Sequence, residues 1–334
     1  MTTSGWPPPP TEAVTLADAS QVGEARRLVA GMCARLQLDE TTTGQASLVA
    51  TEAANNVLRH GGGGELLVRP LAPAPGLELL AIDRGPGIAD LSRAMEDGYS
   101  TIGTSGTGLG AMRRLSSTFD VYTRPQQGTA VLMRVGAEAP VPALGAVTRP
   151  YPGETECGDV WDVETRPFGV RLLIADGLGH GPQARESALL AARGATRGVE
   201  SPQRGLEEAH AAARAGRGAA MAVADVDLQA REIRYAGVGN ISAMILDPHG
   251  ASKSLVSMNG TIGQGAVRVR PFVYPFEHGS LLVMFSDGLA THWSFEAQPG
   301  LLARHPSLLA SVLYREHWRR RDDVTVLALR LAAP

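Results

Sequence analysis

Glu52-Ala-Ala-Asn-Asn56-Val-Leu-Arg-His60 is the stretch on which the reading of the first half of this chain turns. Glu52, Asn56 and His60 stand four residues apart, so on a helix they share one face. A carboxylate can polarise a water or hydroxyl, and an amide oxygen on the same face can ligate a magnesium ion that bridges phosphates. Alone, the spacing fits a solvated polar stripe better than a site. The glycine loops that follow decide between the two. Asp83 closes an apolar run and precedes Gly85-Pro86-Gly87, where a carboxylate can accept from an exocyclic amino group while the glycines let a base approach the backbone. Gly106-Thr107-Gly108-Leu109-Gly110 then leads into a helix whose free N–H groups would face phosphate oxygens. Each motif alone is commonly a turn. All three in this order point to a nucleotide triphosphate.

The second half carries a different phosphate chemistry at four stations: Gly158-Asp159, Asp176-Gly-Leu-Gly-His-Gly181, Ser286-Asp287-Gly288 and Arg321-Asp322-Asp323. Hard divalent cations take several oxygen ligands and keep waters, which clustered aspartates provide. Two such ions about 4 Å apart can activate a bridging water and clamp phosphoryl oxygens during in-line attack. Each Asp-Gly taken singly is also a favoured hairpin turn.

Composition bounds the rest. The 334 residues suit two domains. A net charge of -3 gives no reason to expect nucleic acid or an anionic membrane as partner. Lys253 is the only lysine, which excludes chemistry needing a second one. Cys33 and Cys157 are too few for a disulfide framework, and no spacing resembles a zinc site. MTTSGWPPPP lacks the order of a signal peptide, and no apolar run approaches the roughly 18 residues of a membrane span, so a cytoplasmic protein is expected.

Residues 1–14 are expected to be a disordered leader and 137–147, small and proline-bearing, a linker between domains at 15–136 and 148–334. Helices are expected over 17–37, 44–58, 109–118, 182–198 and 203–214. Strands are expected over 66–70, 77–83, 120–124, 128–135, 220–227, 232–239, 242–246, 280–286 and 323–331, with a loop over 94–106. The segment 236–240 reads as a tight strand connection near the second site.

The first segment resembles the GHKL (Bergerat-fold) ATPases, most closely their small bacterial switch-kinase and anti-sigma-factor branch. GYSTIGTSGTGLGAMRRLSSTFD resembles the stressosome switch kinases (RsbT type) in particular. The resemblance implies Glu52 as general base, Asn56 as magnesium ligand and Asp83 as the adenine-reading acid. It implies Gly85 and Gly87 as one glycine box, and Gly106 through Gly110, with Thr107 and Leu109, as the other. His60 is read as structural or phosphate-facing rather than phosphorylated. The short span between the boxes leaves no room for the long lid of sensor histidine kinases, so a serine or threonine on a partner is the expected acceptor.

The second segment resembles metal-dependent protein phosphatases of the PPM/SpoIIE type, and its Glu-x-Cys-Gly-Asp-Val-Trp form the stressosome feedback phosphatases (RsbX type). The resemblance implies that Asp159 and Asp176 hold a Mg2+ or Mn2+ pair with the Gly177 carbonyl. Asp287 and Asp322 complete the site, with Asp323 in the neighbouring position. Cys157 is read as a small packed residue or an oxidation-sensitive thiol, and His180 as touching substrate or packing structurally. The expected fold class is α+β: an N-terminal Bergerat α/β sandwich with a mixed sheet covered by helices, and a C-terminal PPM-type β-sandwich flanked by helices. The expected function is a bifunctional partner-switching regulator using ATP, Mg2+ and Mn2+. It would act on a STAS-domain phosphoprotein, a stressosome scaffold or a sigma-factor regulatory protein, its oligomeric state left open. The alternative is a phosphatase whose N-terminal half binds a partner in an ATP-dependent way without phosphoryl transfer.

Overall fold

The helix that carries Glu52 is longer than the sequence alone suggests. In a computed structural model, which describes residues 10–71, 75–95, 108–136, 143–196 and 198–332, it is Glu40–Gly61. Asp39 caps it, accepting from Thr42 N at 2.9 Å and Thr42 Oγ1 at 2.6 Å, so the threonine cluster before Gly44 becomes its first turn. Gly62, with φ of 68°, ends it in the left-handed conformation.

The chain divides into two units, one from Thr11 to Pro140 and one from Val141 to Pro334. The first contains β1 (Glu12–Leu16), α1 (Ser20–Arg35), α2 (Glu40–Gly61), β2 (Gly64–Leu71), β3 (Gly76–Asp83), α3 (Leu91–Ala94), α4 (Gly108–Leu115), β4 (Thr118–Thr123) and β5 (Thr129–Gly136). Its sheet runs β1-β2-β3-β5-β4. Leu77, Leu79 and Ala81 of β3 share a core with Val29 and Met32 of α1, Val49 and Ala53 of α2 and Met112 of α4, so helices cover one face. Every neighbouring pair is antiparallel, not mixed. The crossover from β3 through α4 brings β4 in parallel to β3, and β5 then turns back between them. Glu12–Leu16 pairs with β2, so the expected leader enters the sheet at its end. Helix α4 stops at Leu115 because Ser117 N leaves it to donate to Arg134 O at 2.8 Å.

The second unit contains β6 (Leu144–Arg149), β7 (Asp159–Arg166), β8 (Gly169–Gly177), α5 (Gly181–Ala195), α6 (Pro202–Ala212), β9 (Ala219–Asp227), β10 (Glu232–Val238), β11 (Ser242–Leu246), β12 (Ser252–Ser254), β13 (Phe272–Pro275), β14 (Ser280–Phe285), α7 (Pro306–His317) and β15 (Val324–Leu331). Two antiparallel sheets, β13-β10-β9-β8-β7 and β12-β11-β14-β15-β6, form a sandwich. Strand β8 shows the logic: Leu172 and Ile174 meet Leu282, Met284, Leu327 and Leu329 of the other sheet, while Leu173 and Ala175 meet Ala188 and Ala192 of α5. The sequence reading did not include strands β7, β8, β12 and β13, and two further elements depart from it. Residues 144–147 of the expected linker belong to β6, which pairs with β15. Helix α7 was not expected at all: its residues from Pro306 to Arg315 are all buried, which erases the amphipathic period that marks a helix.

In the first unit Glu78 stands between Arg69 and Arg134 in the strand register. It accepts from Arg69 Nε at 2.7 Å and Arg134 Nε at 2.8 Å, and all three side chains are buried. Glu78→Gln leaves two buried guanidinium groups short of their counter-charge. Denaturant unfolding of the first unit should show a loss of about 3–5 kcal/mol.

Candidate functional site

Residues along α2 and at the end of β3 assemble the first site. Glu52 and Asn56 are half-buried on α2, and among the described residues Glu52 makes no side-chain hydrogen bond or ion pair. A Cβ on Gly108 would stand 3.1 Å from both Asn56 Oδ1 and Nδ2, so the N-terminus of α4 starts against that amide. Asp83 ends β3 nearly buried, its Oδ1 accepting from Gly85 N at 2.8 Å and Thr129 N at 3.1 Å. The Gly85–Gly87 turn is fastened to the β4–β5 hairpin through Gln126 N to Pro86 O at 2.9 Å and Gly128 N to Gly85 O at 3.0 Å. Gly87 has φ of 72°, and a Cβ there would meet Arg124 O at 2.1 Å, so only glycine fits. Leu109 and Gly110 lie in the first turn of α4. Gly106 and Thr107, with most of the expected loop, lie outside the described residues. His60 is exposed in the last turn of α2.

The second site gathers its acidic residues from both sheets. Asp159 of β7 and Asp176 of β8 are register partners, so their side chains leave the sheet on one face. Ser286 follows β14 in the other sheet, and its Oγ donates to Asp159 Oδ2 at 2.6 Å while accepting from Thr325 N at 2.9 Å. Asn240, beyond β10, donates to Asp287 Oδ2 at 2.6 Å. Asp323 Oδ1 accepts from Tyr151 N at 2.8 Å, and Asp322 Oδ1 from Asp323 N at 2.9 Å. A Cβ on Gly177 would stand 1.9 Å from Ala184 O, so the glycine lets α5 press against the end of β8. His180 caps the approach: its Nδ1 pairs with Glu154 Oε1 at 2.8 Å and its ring stacks on Tyr151 at 4.5 Å.

The electrostatics are those of crowded like charge. Burial first, then Ser286 working the other way and Asp323 adding repulsion, leaves the Asp159 carboxyl raised to about 7. Burial, then the charges of Asp159, Asp287, Asp322 and Asp323, pushes Asp176 well above the usual carboxylate range. Asp287, Asp322 and Asp323 are raised too, burial leading in each. Asp159 Oδ1 and Asp323 Oδ2 are buried without a hydrogen-bond partner. Buried carboxylate oxygens left bare beside further carboxylates fit divalent cations. Among the described residues no three acidic, histidine or cysteine groups close into a ready-made cage, and hard cations that keep waters do not need one. Cys157 is buried, donates to Arg149 O at 3.4 Å and has its thiol pushed up by burial, which makes it a packing residue and not a reactive thiolate.

Ser286, Asn240 and Tyr151 are supporting residues that the aspartate pattern did not single out. Ser286 and Asn240 do sit inside short motifs, Ser-Asp-Gly and Gly-Val-Gly-Asn, next to strand ends.

Residues 166–332, half of the chain, match the family described as stage II sporulation protein E. The chain belongs to the SpoIIE family. Residues 15–135 match the histidine kinase-like ATPase domain. Over 109 residues this SpoIIE-family chain is 31% identical to the serine/threonine-protein kinase RsbT of Bacillus subtilis (strain 168), spanning 32% of this chain and 82% of that protein. Over 141 residues it is 27% identical to the phosphoserine phosphatase RsbX of the same organism, spanning 41% of this chain and 69% of that protein. A solved chain described under "The bacterial stressosome: a modular system that has been adapted to control secondary messenger signaling" superposes with a TM-score of 0.51 at 27% identity, covering 56% of this chain and 98% of its own. The protein is thus a kinase-like GHKL ATPase domain fused to a PPM-type phosphatase domain. Among the described residues no helix is long and apolar enough to cross a membrane.

Three outcomes follow from this geometry. Asp159 binds more protons folded than unfolded between its ordinary value and about 7, so the metal-free phosphatase unit should lose stability as pH rises through that window. Cations compete with those protons, so the rise in melting temperature on adding Mn2+ should be larger at about pH 8 than at about pH 5.5. Ser286→Ala removes the hydroxyl that holds Asp159, and calorimetry should show Mn2+ affinity about 10–100-fold weaker.

Proposed function

We propose that this SpoIIE-family protein is a two-way partner switch, phosphorylating a serine or threonine on a STAS-domain partner with one half and dephosphorylating the same or a related partner with the other. The observation that carries the reading is the pair Asp159 and Asp176, opposed across β7 and β8 and backed by Ser286 from the second sheet. The partner class includes a stressosome scaffold or a sigma-factor regulatory protein, and the likeness to RsbT, RsbX and a stressosome chain supports it.

In the kinase half, Glu52 accepts the proton of the acceptor hydroxyl as its oxygen bonds to the γ-phosphorus and ADP leaves. Asn56 contributes its amide oxygen to the Mg2+ that accompanies ATP, four residues along the same face. Asp83, its Oδ1 fixed by two backbone N–H groups, reads the adenine amino group, and the turn at Gly85 and Gly87 gives the base room. Gly108, Leu109 and Gly110 open α4 toward the phosphates, the sequence resemblance assigns Gly106 and Thr107 to the same glycine box, and His60 lies one turn beyond Asn56.

In the phosphatase half, Asp159, Asp176 and the Gly177 carbonyl hold a Mg2+ or Mn2+ pair, with Asp287, Asp322 and Asp323 completing the set. Bound there, the ions supply a nucleophilic water at neutral pH and neutralise the phosphoryl oxygens. Ser286 and Asn240 keep Asp159 and Asp287 turned inward. Fusion of the halves raises the effective concentration of each activity near the other's product, so nucleotide state or partner binding must bias one of them.

Labelled ATP given to the full chain with a STAS-domain protein tests the kinase. Label on the partner should survive Asp176→Asn and vanish with Glu52→Ala. An active phosphatase that labels no STAS-domain protein while still binding it in an ATP-dependent way would reduce the first half to a docking module. Hydrolysis of p-nitrophenyl phosphate should require Mn2+ and fall by about a hundredfold or more in Asp176→Asn and Asp287→Asn.

A further inference from the structure

The acidic floor of the phosphatase site creates a need that its own carboxylates do not meet. A phosphate monoester arriving beside Asp159, Asp176, Asp287, Asp322 and Asp323 is itself anionic. Cations on the floor answer part of that charge, and oxygens turned outward need separate donors.

Gly216-Arg217-Gly218 lies against the loop that follows Asp176. Leu178 N donates to Gly218 O at 3.1 Å, which ties this segment to the residue next to Gly177. Arg217 is held at its backbone and at its guanidinium. Its N–H donates to Ser187 Oγ at 2.9 Å, its carbonyl accepts from Gln264 Nε2, and its guanidinium donates to Gln183 Oε1. Nη1 lies 3.3 Å from where a Cβ on Gly179 would stand, so the guanidinium rests over the loop between Gly177 and the start of α5.

Among the described residues Arg217 forms no ion pair, whereas Arg171, Arg185 and Arg204 each have a carboxylate partner. The first turn of α5 holds no acid of its own, and the carboxylate at that turn, Glu154, is paired with His180 Nδ1 at 2.8 Å. An exposed arginine held in place by neutral groups and left without a carboxylate is pre-organised for an incoming anion.

We propose that Arg217 binds the outward phosphoryl oxygens of the phosphoserine or phosphothreonine substrate, setting its affinity at the rim of the metal site. The inference rests on the phosphatase reading above and adds to it a residue outside all four acidic stations. It accounts for Gln183 as the residue that positions the guanidinium, and for Ser187 and Gln264 as those that hold the backbone carrying it.

The test uses the full chain loaded with Mn2+, a phosphoserine peptide as substrate and inorganic phosphate as probe. Arg217→Ala should raise KM by about ten- to a hundredfold, the worth of a lost charged hydrogen bond, with a smaller effect on kcat. Calorimetry should show inorganic phosphate binding weakened by a similar factor, with Mn2+ affinity and melting temperature retained. Arg217→Lys keeps the charge without the fork and should recover part of the KM. If Asp176→Asn abolishes turnover while Arg217→Ala leaves KM and phosphate affinity within about twofold of the parent, Arg217 has no such role. If Asp176→Asn keeps full activity, the metal-site reading itself falls.

Discussion

Asp159 facing Asp176 across two adjacent strands is the constraint to which the phosphatase unit answers. Two carboxylates so placed repel each other, and burial sharpens the repulsion because little water remains to screen it. The fold holds them by bringing a hydroxyl from the second sheet: Ser286, itself fixed by Thr325 N, donates to Asp159. The two sheets of the sandwich are therefore joined at the point where charge is densest. Local stability is given up at the site and recovered in the apolar layers on either side of β8, one against the facing sheet and one against α5.

The ATPase unit works by another economy. Its proposed ligands are not crowded acids but single polar groups at element ends: Asp83 at the close of β3, Asn56 on α2 and the glycines where a turn or helix begins. Such a site needs positions more than charge, and the sheet supplies them by fastening the Gly85–Gly87 turn to the β4–β5 hairpin. The buried Arg69–Glu78–Arg134 set ties β2, β3 and β5 together in the same sheet.

Much of this was legible in the sequence because the first site is local. Glu52, Asn56 and the glycine turns fall within one helix and the segments that follow it, so helical period and glycine spacing reveal them. Three of the four acidic stations were legible as Asp beside Gly, yet the register that opposes Asp159 to Asp176 was not, since it depends on strand pairing. Helix α7 escaped because burial on all sides leaves no polar face to set a period. Strand β6 escaped because Leu144-Gly-Ala-Val147 has the small, plain composition of a connector, and only its pairing with β15 makes it a strand. Asn240 and Tyr151 act through a side-chain amide and a backbone N–H, which no spacing rule singles out.

Strand β15 begins directly after Asp322 and Asp323 and lies between β14 and β6 in the sheet. As the chain emerges from a ribosome, the whole ATPase unit and most of the sandwich are exposed before those two residues appear. The kinase-like half can thus mature while its opponent is still missing an edge of its floor. A newly made molecule would pass through a one-sided stage, its ATPase-like unit folded while the acidic floor is still open, and only the pairing of β15 completes that floor.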